Sequence, residues 1–193
     1  FSLSYTPEHY YRMIHGKKVY ENSLYPTFSV LYQQAFSQNG DKITPEFKKA
    51  EVSIEQKVEF GMFNNLYWYI NGGLLWDKND IQFPDFKHFS TTRLPVTDRN
   101  FFKGCSLLNN TEMSANTRWV PANVMWSPPY LLFKHLPFLR RKPFDEALHL
   151  PSLIVYDKQA YTELGSSVGV MDVGLIGVFV GFNVFNSYTV GFS

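Results

Sequence analysis

The chain has 193 residues, including 18 Phe, 12 Tyr and 4 Trp, yet its mean hydropathy is −0.21, so its apolar residues are diluted by polar ones rather than grouped in blocks. With 18 basic and 17 acidic residues the net charge is +1, which leaves no electrostatic footprint for nucleic-acid binding. The length fits one domain or a piece of a larger one, and a lone cysteine, Cys105, excludes an intrachain disulfide framework and a cysteine-based zinc site.

The sequence begins at Phe1 with neither a Met nor a signal peptide, which reads as a processed product or a fragment. Phe1 to Tyr5 reads as the end of a strand. "LYPTFSVLYQQAF" (24–36) is aromatic and β-branched, and the turn-rich "SQNGDKITPE" follows it. In "AEVSIEQKVEFGMF" (50–63), Glu51, Ser53, Glu55, Lys57 and Glu59 alternate with Val52, Ile54, Val58, Phe60 and Met62. Period two puts the apolar set on one face, whereas helical spacing scatters it. "LYWYINGGLLWD" repeats the pattern with Leu66, Trp68, Ile70, Leu74 and Trp76. The two apolar faces coincide only across an odd-length turn, for which Phe63-Asn64-Asn65 is the expected three residues.

Residues 76–113 are long, mixed and poorly periodic, and 78–112 is expected to be a long loop with a function of its own. "RWVPANVMW" (118–126) is a strand interrupted by Pro121. "SPPYLLFKHLPFLRRKPFDE" (127–146) reads as a turn at an interface, with Arg140, Arg141 and Lys142 near a polar surface. Segments 146–157, 160–170, 173–182 and 184–193 complete about eight or nine strands. The window Leu164 to Phe182 is long enough for a membrane-spanning helix. Its glycines, Asp172 and β-branched residues instead favour two strands meeting near Met171-Asp172.

Enzyme chemistry finds little support. "GSSVG" (165–169) matches a nucleophile-elbow pattern around Ser167, but that mechanism needs a strand–turn–helix, and here the serine lies inside an expected strand. The five histidines show no metal-ligand spacing, so no metal site and no cofactor are expected. The row Glu51, Glu55 and Glu59 reads as a solvated wall rather than as acid–base machinery. Asn109-Asn110-Thr111 is a formal glycosylation sequon.

One-sided strands suit a soluble barrel with the apolar side in, or an outer-membrane barrel with that side out. Trp68 and Trp76 stand eight residues apart on one face, roughly 26 Å along a strand and about 20 Å along the normal after tilt. That spacing suits two aromatic girdles, and it favours an all-β, transmembrane antiparallel β-barrel. Val, Ile, Phe and Met of the opening alternation then face lipid, while Glu51, Glu55, Lys57 and Glu59 face a wet lumen.

"YPTFSVLY", "FPDFKHF", "LPFLRRKPFDE" and "AYTELGSSVGV", in this order, resemble the C-terminal part of a Bacteroidetes-type outer-membrane family. Its members carry an N-terminal carboxypeptidase-like regulatory domain ahead of a barrel region. The resemblance implies that residues 1–193 are the C-terminal strands of a larger, sixteen-stranded barrel in the bacterial outer membrane. Its partners would be lipid, the missing N-terminal part of its own chain, and other outer-membrane or periplasmic proteins. More distantly, the chain is similar to the BamA-type insertase and translocon superfamily, in which a long extracellular loop carrying Arg-Gly-Phe/Tyr folds into the lumen. Segment 78–112 stands in the corresponding place. Arg99-Asn100-Phe101 is the nearest approach to that motif, with Asn in place of Gly. The resemblance implies that Arg99 meets lumen carboxylates, with Glu146 and Glu163 as candidates. It also makes 63–65 and 132–144 periplasmic turns. The implied role is non-catalytic assembly, export or transport at the outer membrane; a barrel anchor for partner proteins and a soluble ligand-binding β-barrel are the alternatives.

Overall fold

A computed structural model describes residues 1–8, 11–20, 23–36, 45–61, 64–79, 81–91, 103–108, 113–129, 131, 144–156, 158, 160–170, 174–183 and 187–192. The strands are β1 (Ser2–Tyr5), β2 (Tyr11–Ile14), β3 (Lys17–Tyr20), β4 (Thr27–Ala35), β5 (Glu46–Glu59), β6 (Asn65–Asn79), β7 (Arg118–Ser127), β8 (Phe144–Val155), β9 (Ala160–Val170), β10 (Gly174–Asn183) and β11 (Ser187–Phe192). A 3-10 turn at Phe83–Asp85 is the one helical element among the described residues, and no helix of the described residues is long and apolar enough to cross a membrane.

Nine strands form one antiparallel sheet in the order β1-β4-β5-β6-β7-β8-β9-β10-β11. It is a meander from β4 onward, each strand pairing with its neighbours in sequence whether the connection is short or, as between β6 and β7, long. The all-β, antiparallel expectation holds, and among the described residues no pairing joins β1 to β11, so the sheet is open. The hairpin β2–β3 stands outside this sheet and was not expected from the strand pattern. Its turn is His15-Gly16, both at positive φ (49° and 76°), the conformation that lets a two-residue turn follow the strand twist.

Segment 164–182 forms the expected hairpin: β9 and β10 pair from Gly174↔Val170 to Asn183↔Tyr161. The β5–β6 turn differs from expectation. The last pair is Glu59↔Asn65, so the turn is five residues, 60–64, rather than Phe63-Asn64-Asn65. Gly61 takes φ +80°, which turns the chain before Met62, and Phe60 N donates to Asn64 O at 2.7 Å. The length remains odd, so the two apolar faces still coincide.

The register carries one parity across the whole sheet. Phe28, Ile54, Ile70, Ala122, Ser152, Thr162 and Phe182 form a single row. On this face Val52, Leu74, Val124, Ile154, Leu164 and Ile176 are exposed, Ile176 by 64%. Between residues 50 and 58 of β5 Gln56 is the polar exception, and its Nε2 donates to Leu24 O at 2.6 Å; Lys48, nearer the start of the strand, has the same parity. The opposite face is covered and polar, carrying buried Glu51, Asn71, Asn123, His149, Glu163 and Ser167. The apolar side therefore points away from the protein interior.

At one end of this inward face lies the apolar core. Phe89, Cys105, Leu108, Met113 and Ala115 from the long β6–β7 connection pack on Phe47, Leu75, Trp119, Leu153, Val155 and Tyr161. The connection holds its own shape through bridges between Lys87 and Ala115 and between Thr91 and Cys105. Bare backbone makes room for rings beneath it. Trp119 lies across Gly73, where an added Cβ would meet its Cε2 at 2.2 Å, and Phe179 lies across Gly165 and Gly177.

Two prolines interrupt the ladders. The β6–β7 pairing runs to Ile70↔Ala122 and resumes at Gly73↔Trp119, the break falling at Pro121. The β8–β9 pairing runs to His149↔Gly165 and resumes at Ser152↔Thr162, the break falling at Pro151. Proline has no N–H to give to a ladder. By the flanking register, Pro121 stands across from Asn71 and Pro151 across from Glu163.

Candidate functional site

The polar groups of the inward face meet the β6–β7 connection at two points. The first is on β5. Glu51 is 6% exposed, and Lys87 of the connection places Nζ 2.9 Å from each of its carboxylate oxygens. Lys49 Nζ approaches the same carboxylate at 3.1 Å, and Asn71 Nδ2 at 3.5 Å. Charge-assisted bonds of this kind keep a carboxylate ionised in a site from which most water is excluded. Two inward positions further along the strand, Glu55 pairs with Lys103, whose ammonium lies 5.2 Å from the Tyr69 ring centroid.

The second point is Glu163 on β9, which is fully buried. Its carboxylate accepts the backbone N–H of Ser106 at 2.8 Å, Leu107 at 2.9 Å and Leu108 at 3.1 Å, and the Tyr161 hydroxyl at 2.8 Å. Consecutive backbone donors around one anion form a nest, here closed on an internal carboxylate rather than on a ligand. Among the described residues no cation is paired with Glu163, so the site is held by oriented dipoles. Cys105 sits next to this clamp; burial, with the Glu163 charge adding to it, pushes its thiol well above the ordinary range. A thiol so protonated is a packing residue rather than a nucleophile.

Glu51, Glu55, Lys57 and Glu59 share the inward parity of β5, with Lys57 and Glu59 forming their own ion pair at 2.5 Å. Trp68 and Trp76 share the outward parity of β6, and Trp76 packs against Tyr32 with ring centroids 6.3 Å apart. Arg99, Asn100 and Phe101 lie outside the described residues. Glu146 and Glu163 are not brought together. Glu146 is buried, but on β8 it has the parity of Leu148 and Leu150, opposite to inward His149.

Several residues of this site carry no sequence signal that singles them out: Lys87, Lys103, Asn71, and the three loop amides that hold Glu163. His149 had one partial signal, the serine pattern at 165–169. His149 Nε2 lies 2.6 Å from Ser167 Oγ, both buried. Ser167 nevertheless sits in mid-strand, paired with Ala147 on one side and Gly177 on the other. The ladders take up the backbone amides that an elbow would turn toward an oxyanion. Ser167 is therefore expected to resist a fluorophosphonate probe. Ser167→Ala should lower stability by about 1–3 kcal/mol by stranding the imidazole, measured by thermal unfolding; stoichiometric labelling of Ser167 would contradict this reading.

In the described residues no group of His, Cys, Asp and Glu could hold a metal ion. No curated protein and no solved structure matches the chain. Residues 1–168 match a family described as a family of unknown function (DUF5686), C-terminal domain. The chain thus belongs to the DUF5686 family, of which it carries the C-terminal domain.

Proposed function

We propose that this domain is part of an integral outer-membrane β-barrel, with lipid against its apolar face and a polar lumen within. In that reading it acts without a cofactor in assembly, export or transport, and the β6–β7 connection serves as its plug or gate. The observation that carries the reading is the inverted sheet: large aliphatic side chains are exposed across β5 to β10, while carboxylates, amides and a histidine are buried. Soluble monomers rarely expose a contiguous apolar patch larger than a few hundred Å². A soluble ligand-binding barrel would need the same face turned inward.

The dimensions support the same reading. From Leu66 to Trp76 the outward row spans ten residues, roughly 33 Å along the strand and about 25 Å along the normal after a tilt of ~40°. That is the height of an outer-membrane apolar band. Trp126, at one end of it, donates Nε1–H to Asn64 Oδ1 at 2.9 Å, an amphipathic ring with its polar edge satisfied. The long connection leaves the sheet at the same end as 36–45, 156–159 and 184–186, and the turn 60–64 lies at the other. The longest connection, 80–117, lies at one end, where an outer-membrane barrel carries its long loops, while 128–143 lies at the other with 60–64 and 171–173; the resembled family would supply the remaining strands.

Flotation tests the proposal. The full-length protein, diluted from detergent onto phospholipid liposomes, is expected to float with them through a density gradient and to resist carbonate extraction. A protein that stays monomeric and soluble without detergent would overturn it.

A further inference from the structure

On the outward face, at the end where the β6–β7 connection leaves the sheet, aromatic and basic side chains stand together. Trp76 packs against Tyr32, and exposed Arg118 lies over the ring of Tyr156 with its guanidinium carbon 5.4 Å from the centroid. Arg118 is paired across the ladder with Leu74, and its carbonyl accepts the Tyr156 N–H at 3.0 Å. Lys78, also exposed, donates Nζ–H to Asn116 O at 2.8 Å, which ties a second cation close to Arg118 along the chain.

The acids of this edge do not cancel that charge. Asp77 is taken by Lys48 at 2.5 Å, and Glu46 accepts from Asn79 Nδ2 at 3.3 Å. Among the described residues neither Arg118 nor Lys78 has a carboxylate within ion-pairing distance. The face of the Tyr156 ring gives the guanidinium no lone pair, so its N–H donors stay open to an acceptor. The Lys78 ammonium likewise keeps donors beyond the one given to Asn116.

Depth and neighbours say which acceptor fits. Along the outward row of β7, Trp126 and Arg118 stand at opposite ends, roughly 26 Å apart along the strand and about 20 Å apart along the normal after tilt. With Trp126 at one edge of the apolar band, Arg118 marks the other. A cation at that depth is costly in hydrocarbon and is stabilised by headgroup phosphates. Leu74 beside it, and Val120 and Ile154 toward the middle of the band, are exposed by 43%, 44% and 55%. A free anion would leave those side chains uncovered, and a zwitterionic headgroup brings a cation of its own. A lipid ending in a phosphate monoester meets both demands. Its phosphate offers several oxygens and more than one negative charge to Arg118 and Lys78, while its acyl chains cover Val120 and Ile154.

We infer that Arg118, Lys78 and Tyr156 form a site for a lipid headgroup bearing a phosphate monoester, in the leaflet at this end of the sheet. The inference rests on the reading of the outward face as lipid-facing, and it deepens that reading by naming a class of lipid that the face selects.

Native mass spectrometry of the full-length protein released from detergent micelles tests it, with phosphatidic acid, phosphatidylglycerol and phosphatidylcholine of identical acyl chains as probes. Phosphatidic acid is expected to bind about tenfold more tightly than either of the others. Inorganic phosphate at the same concentration is expected not to displace it. Arg118→Gln should weaken that binding about tenfold, and Arg118→Lys by less. Tyr156→Leu, at a ring 70% exposed, should also weaken it and carries little risk to folding. Lys17→Gln combined with Lys18→Gln removes exposed charge from the β2–β3 hairpin, which joins the sheet at the opposite end, and should leave binding unchanged. Several outcomes would overturn the inference: equal binding of the three lipids, displacement by inorganic phosphate, binding indifferent to both Arg118→Gln and Tyr156→Leu, or a hairpin variant as weak as Arg118→Gln. A protein that floats with liposomes but does not prefer phosphatidic acid sinks this inference alone, whereas one soluble without detergent sinks the membrane reading.

Discussion

Replacing Glu163 by Ala is expected to release the β6–β7 connection from the sheet while leaving the strands in place. Four donors converge on this carboxylate, the amides of Ser106, Leu107 and Leu108 and the hydroxyl of Tyr161. Each donor stranded in the interior costs about 1–3 kcal/mol, and the connection can recover those bonds by moving into water. Removing a buried carboxylate also relieves its desolvation, which offsets part of the loss. The natural reporter is Cys105, buried next to the clamp with its thiol held protonated. In the unaltered protein it should react with a maleimide slowly. A loss of ~3 kcal/mol in local stability should speed its labelling about a hundredfold. Glu163→Gln should have a smaller effect. Its remaining oxygen, placed at Oε1, still accepts from Leu107, Leu108 and Tyr161, while its amide confronts only the Ser106 N–H. Labelling of Glu163→Ala at the unaltered rate would show that the apolar core holds the connection without the clamp.

The second large effect is expected at Gly73, and its neighbour supplies the control. Gly72 and Gly73 are adjacent on β6 and face opposite sides. A Cβ at Gly72 meets nothing within 4 Å, but at Gly73 it meets Trp119 at 2.2, 2.3 and 2.5 Å. Trp119 is 1% exposed and belongs to the core cluster, so its ring has little room to retreat. Gly73→Ala should destabilise by about 1–3 kcal/mol, and Gly73→Val by more. Gly72→Ala should be neutral or mildly stabilising, because it narrows the unfolded ensemble and improves strand propensity. Thermal unfolding of the three variants in detergent, followed by circular dichroism, separates them. Equal midpoints for Gly72→Ala and Gly73→Ala would refute the packing argument.

What the sequence made legible was parity. The alternation in 50–62 and 66–76 identified which side chains share a face, and the structure keeps those of 50–59 and 66–76 together even though the turn lies elsewhere. The partner of Val58 is Leu66 rather than Ile70, a four-residue difference that an even shift absorbs without flipping a side chain. Turn position was less legible because Gly61, not the Asn pair, takes the positive φ. The β2–β3 hairpin was missed because its strands are four residues each, too short for alternation to show; the His15-Gly16 pair between them was the available signal.

The site was less legible than the sheet. Glu163 stood out as a carboxylate in a strand, but three of its four described donors are backbone amides, which every residue carries and no sequence pattern distinguishes. The arginine that the resemblance assigned to it, Arg99, lies outside the described residues. Asn71 lies on a strand and Lys87 in the irregular connection after it, so nothing local forecast that they would share a neighbour in Glu51.

The prolines give the sheet an uneven mechanics. The β7–β8 seam is continuous from Trp119↔Val155 to Trp126↔Leu148, whereas the seams on either side of it are broken, one across from Asn71 and the other across from Glu163. The pair β7–β8 is thus a stiff ribbon sewn into the sheet by two looser stitches. Bending concentrates where stitches are missing, and those places lie beside Asn71 and the clamp. A pull on the β6–β7 connection would be felt first as a tilt of this ribbon, before any strand parts from its neighbour.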